Sequence, residues 1–116
     1  MARPKTPDLR SDPVRAMTLD EFQLSAARGE MPGGLSAPLQ ALWHDARGDW
    51  KRAHEVAQDE SGTPAAWVHA YLHRKEGDLS NAGYWYRRAK RTMPSATLEE
   101  EWRTIAATFL EGEEDD

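Results

Sequence analysis

Four histidines fall between positions 44 and 73: His44, His54, His69 and His73. On a helix, His69 and His73 stand one turn apart and share a face. Two imidazoles at that spacing can hold one metal ion, with His44 approaching from a stacked helix. A carboxylate such as Glu76 or Asp45 could complete the set, and the ion implied is a divalent metal such as zinc. The same three imidazoles could move protons, because imidazole titrates near neutral pH. The plainer account is three core histidines, each donating to a carbonyl, a Tyr hydroxyl or a carboxylate. An unpaired buried polar group costs ~1–3 kcal/mol, so each would need such a partner.

Other sequence signals for chemistry are incomplete. His54-Glu55 begins like the zinc-protease pattern HExxH, but position 58 is Gln and the motif fails. His54 is therefore expected to be a surface or half-buried helix residue. "PGGL" lacks the Lys-Ser/Thr of a phosphate-binding loop and follows no strand. There is no Gly-x-Ser-x-Gly nucleophile elbow. The absence of cysteine excludes disulfides, thiolate metal sites and cysteine nucleophiles.

The elements that must position these side chains are marked by helix starts and stops. Thr18 and Glu21 have capping-box spacing and predict a helix over 18–28 that buries Leu19, Phe22 and Ala26. Gly29 ends it, and the Gly and Pro of "GEMPGGLSAP" make a loop. Ser36 caps a second helix reaching Arg47. Gly48-Asp49 breaks the chain, Gly taking the left-handed backbone and Asp capping a third helix to Asp59. Thr63 as N-cap and Pro64 at the first helical position start a fourth helix. Gly77-Asp78 repeats the break, and a fifth helix runs to Thr92, with Pro94 beyond it. Thr97 and Glu100 form another capping box. The last helix carries Leu98, Trp102, Ile105 and Phe109 on one face. No β-branched run alternates at period two, so the chain reads as all-α, with about six helices.

A shift of 29 positions superposes part of the chain on itself. Trp43-His44 falls on Leu72-His73, Gly48-Asp49-Trp50 on Gly77-Asp78-Leu79, and Ala53 on Ala82. Both copies read helix, Gly-Asp turn, helix, with a small residue early in the second helix. A fixed period of this size is the mark of stacked helical hairpins. In the second copy Ala70, Gly77-Asp78, Ala82, Tyr86, Ala89 and Pro94 have the spacing of a known repeat. Over residues 36–94 the chain resembles the tetratricopeptide (TPR) and Sel1-like families. The first copy departs from that pattern at Ala57, where an aromatic is expected. The stretches "GDW", "AWVHAYLHR", "EGD" and "YWYRRA" are also similar to a group of small bacterial proteins, and that likeness carries no activity with it. The TPR resemblance implies antiparallel hairpins over 36–60 and 63–93 stacked as a short array. Helices at 18–28 and 96–111 would act as caps. It also implies that His69 and His73 point inward beside Ala82 and Tyr86, and that His44 takes the same inward place in the first hairpin.

Trp67, Tyr71 and Arg74 share another face of the fourth helix, with Lys75 beside them. In TPR-type folds that face is turned towards ligands. Tyr, Trp and Arg are the residues enriched at binding hot spots. The leading expectation is therefore a protein- or peptide-binding module without catalysis, gripping its partner through Trp67, Tyr71, Arg74 and Lys75 and needing no cofactor. The stripe could instead pack under a capping helix. The alternative function is a metal-binding or His-dependent enzyme built on His44, His69 and His73. Self-association through exposed aromatics is a third possibility.

Charge and composition narrow the partners. The net charge is −5, with 30% charged and 39% hydrophobic residues, which suits one folded domain of 116 residues. Between 74 and 91 six basic residues face two acidic ones; between 99 and 116 eight acids face Arg103 alone. "YWYRRAKR" could stack bases and pair phosphates, but the net charge argues against nucleic acid. The acidic tail could fold over the basic hairpin. No apolar run reaches the ~18 residues of a membrane span, and "MARPKTPDLRSDP" contains no secretory apolar core. These features predict a cytoplasmic protein with an extended arm over 1–16, one helical domain over 17–111 and an acidic tail over 112–116.

Overall fold

A computed structural model of the chain describes residues 17–112. The arm expected over 1–16 and most of the expected tail lie outside the described residues. Within them the chain is all-helical: α1 (Leu19–Arg28), α2 (Ala37–Ala46), α3 (Trp50–Gln58), α4 (Thr63–Lys75), α5 (Leu79–Arg88) and α6 (Leu98–Leu110). No strand occurs among the described residues.

The caps form as the spacing predicts. The Thr18 hydroxyl accepts the Glu21 N–H and the Glu21 carboxylate accepts the Thr18 N–H. Thr97 and Glu100 make the same reciprocal pair at the start of α6. Asp49 and Asp78 cap α3 and α5 by accepting the N–H of Arg52 and Asn81. The two Gly-Asp turns are closed identically: the Asp49 N–H donates to His44 O at 3.0 Å, and the Asp78 N–H to His73 O at 2.9 Å. Gly48 and Gly77 sit at φ 84° and 91°, in the left-handed region such a turn requires. These turns are too short for anything but antiparallel neighbours, so α2 packs on α3 and α4 on α5.

Two boundaries differ from expectation. Gly62, at φ 105°, is the N-cap of α4 and provides no side-chain cap, so Thr63 is the first helical residue. The fifth helix stops at Arg88 rather than Thr92. Ala89 caps it and Lys90 turns left-handed at φ 62°, which sends the chain off towards α6.

Small residues set the spacing inside the hairpins. Ala53, Ala70 and Ala82 are fully buried. The core is continuous from Phe22 through Leu39, Leu42, Val68 and Leu72 to Ile105 and Phe109. Helix α6 packs on α1, α2 and α4. Trp102 fixes its position: the indole stacks on Phe22 and its N–H donates to Leu42 O at 3.1 Å.

Candidate metal centre

The histidines divide differently from expectation. His54 leaves α3 and meets His69 and His73 on α4, because α3 lies directly against α4. Ring centroids are 4.6 Å apart for His54–His69, 5.0 Å for His54–His73 and 4.8 Å for His69–His73. One ring nitrogen from each lies within 4.8 Å of the others. Nitrogens bound to one tetrahedral zinc at 2.0–2.1 Å are about 3.4 Å apart, so the rings need draw together by no more than about 1.4 Å.

His44 is outside this cluster, which corrects the expected trio. It is half-buried on α2, edge-on to Trp43. The physical reason lies in the repeat itself. His44 and His73 occupy equivalent places in successive hairpins, and among the described residues the His44 ring contacts Trp43 and joins neither His69 nor His73. A histidine on the second helix of the first hairpin meets the first helix of the next. The available signal was Trp50 and His54 four apart on α3, facing the stacking side.

Two indoles wall the cluster. Trp50 stacks on His54 at 4.9 Å with planes 10° apart, and Trp85 on His69 at 4.0 Å and 16°. The Trp50 N–H donates to Leu72 O at 2.8 Å, which ties α3 to the backbone of α4. His69 and His73 are buried, whereas His54 is only partly covered and opens the cluster to solvent.

Hydrogen bonding separates the three rings. Nδ1 of His73 is 2.8 Å from the Glu76 carboxylate. His69 is 5% exposed, yet among the described residues neither of its ring nitrogens has a hydrogen-bond partner. Among the described residues His54 likewise has ring contacts and no hydrogen bond. Burial, followed by the nearby His54 and His73 rings, pushes the His69 pKa down to about 4. Burial and then His73 also lower that of His54, against a partial pull upward from Glu76 and Glu55. Two adjoining imidazoles are thus neutral near pH 7, with lone pairs available to a metal. Three nitrogen donors without thiolate suit zinc and its neighbours among the divalent transition metals. Magnesium and calcium prefer oxygen.

The four residues expected to form a binding stripe are placed together, but not as an open surface. Trp67 is 6% exposed and Tyr71 2%. Helix α6 covers them because its acidic first turns carry the partner they need. Glu101, itself buried, accepts from Arg74 at 2.7 Å, the Tyr86 hydroxyl at 2.6 Å and the Trp67 indole at 3.4 Å. Phe109 meets the Trp67 ring edge-on. Arg74 also donates to Ala96 O. Buried Asp45 accepts from the Tyr71 hydroxyl at 3.1 Å and from Lys75 at 2.9 Å. Burial first, then the adjacent carboxylates, raise both Tyr71 and Tyr86 above the usual phenol range. Of the four, only Lys75 keeps appreciable exposure. The stripe is an internal lock for α6. Asp45, once a possible metal ligand, belongs to that lock.

These features define a helical-hairpin protein with an aromatic-walled imidazole cluster between its hairpins. Comparison with protein-family models, curated proteins and solved structures finds no match to the chain.

Proposed function

We propose that this protein binds a divalent transition metal of the zinc class through His54, His69 and His73. The observation that carries this reading is His69: a buried imidazole with both nitrogens unpartnered among the described residues, facing two further imidazoles. A core histidine without a hydrogen bond leaves a cost of about 1–3 kcal/mol uncompensated. A metal ion would remove it. The reading keeps the alternative function expected from sequence but replaces His44 by His54. The peptide-binding reading loses support, because all four residues it relied on are engaged with α6 or Asp45.

With three ligands the metal would keep a fourth position for water or a small donor, the arrangement typical of catalytic rather than structural zinc. His54 is the most exposed of the three and would be the ligand nearest solvent.

The test is metal content of protein purified without an affinity tag, followed by thermal melting with and without zinc. One equivalent of metal and a raised melting temperature are expected for the natural sequence and for His44→Ala. Both should be lost in His69→Ala. A natural protein that binds no zinc, copper, nickel or cobalt ends the proposal.

A further inference from the structure

Glu76 lies just beyond the imidazole cluster and touches it at one point. It caps the C-terminus of α4, three residues after His73, where its N–H closes the last turn onto Leu72 O and Arg74 O. Its carboxylate stands 2.8 Å from His73 Nδ1. It groups within 4.8 Å with His73 and Asp78, but no carboxylate among the described residues joins the three histidines within that distance. Asp78 is committed elsewhere, accepting both the N–H and the side-chain amide of Asn81. Glu76 therefore stands outside the ligand set while holding one of its members.

An ionised carboxylate can only accept a hydrogen bond. The proton between Glu76 and a neutral His73 must then reside on Nδ1, which leaves Nε2 as the sole lone pair of His73. We propose that Glu76 is the positioning residue of this centre, fixing His73 in the Nδ1–H tautomer so that Nε2 is its ligand atom. The inference rests on the proposed metal reading for its use, but the tautomer is a property of the metal-free protein. Neutral imidazole in water favours the opposite tautomer, with the proton on Nε2, so the arrangement depends on an outside acceptor. Histidine ligands commonly have such a carboxylate behind them, and losing it costs about 10–100-fold in metal affinity.

The experiment is a two-bond 1H–15N correlation spectrum of the metal-free protein in mildly alkaline buffer, for the natural sequence, Glu76→Ala and Glu76→Gln. Cobalt titration follows, read by absorption. His73 is expected as the Nδ1–H tautomer in the natural protein. It should remain so in Glu76→Gln, whose amide oxygen still accepts, and should revert to Nε2–H in Glu76→Ala. Cobalt affinity should fall about 10–100-fold in Glu76→Ala and less in Glu76→Gln, with the ligand-field bands unchanged. An Nε2–H tautomer in the natural protein overturns the proposal, as does a tautomer indifferent to Glu76→Ala. Ligand-field bands altered in Glu76→Ala make Glu76 a direct ligand and overturn it too. The expected tautomers in a protein that takes up no cobalt would leave Glu76 orienting His73 but refute the metal reading, and with it the role assigned to that orientation. Glu76 is exposed at a helix end, so unfolding of both variants is not expected, and far-ultraviolet circular dichroism checks it.

Discussion

His69 lies flat against the indole of Trp85, their ring centroids 4.0 Å apart and their planes 16° from parallel. This contact excludes water from one face of the imidazole while offering it no hydrogen bond. It contributes to the burial that holds the His69 pKa at about 4. Replacing Trp85 by Ala should admit water and raise that pKa towards the ordinary 6.5. An NMR titration of the His69 ring measures it. An unchanged value would mean that the cover of Trp85 adds nothing to the shift.

The same depression makes stability depend on pH. The folded His69 resists a proton that the unfolded chain accepts, so the unfolded state binds more protons between about pH 6.5 and 4. The contribution of neutral His69 is present above pH 6.5 and is lost as pH falls through that window. The loss should be on the order of 2–3 kcal/mol by pH 4. Urea midpoints across this range, compared with His69→Phe, isolate it: the variant should show a flatter profile.

Glu101 is the centre of the lock on α6. Glu101→Ala leaves the Arg74 guanidinium without its carboxylate and strands the Tyr86 hydroxyl and Trp67 N–H. Breaking a buried ion pair from one side costs about 3–5 kcal/mol. Chemical denaturation should show a loss of that size. Lys75→Ala, which removes a partly exposed partner of Asp45, should cost about 1 kcal/mol or less.

The two hairpin turns should respond alike. A Cβ added at Gly48 or Gly77 meets nothing within 4 Å, so the strain is purely that of the positive φ. Each Gly→Ala change should cost about 1–2 kcal/mol, and the two should add, because the turns lie in different hairpins. Thermal melts of the single and double variants check both statements. Ala82→Leu, at a fully buried close approach, should cost about 1–3 kcal/mol by overpacking.

Much of the fold is local and was legible as such. Thr18 with Glu21 and Thr97 with Glu100 form capping boxes, and Asp49 and Asp78 cap the helices after their glycines. Each depends on atoms within a few residues, so spacing alone specifies it. The all-α class and the six helices follow from these signals and from the one-faced stripe of α6. The end of α5 is not local in this way: Lys90 adopts a left-handed turn that its residue type does not advertise.

The site was legible only in part. His69 and His73 share a helix, and their pairing follows from a spacing of four. Their third partner depends on which helix stacks on α4 and at what height, which is a tertiary matter. Sequence equivalence pointed to His44, but α3 is the helix whose histidine meets α4, and His54 is the residue that joins the pair. The stripe of Trp67, Tyr71 and Arg74 shows the same division. Sequence establishes that these side chains share a face, because helical periodicity is local. Whether that face meets solvent or another helix depends on where α6 lands. The Glu101 carboxylate, 27 residues beyond Arg74 and 34 beyond Trp67, brings it there.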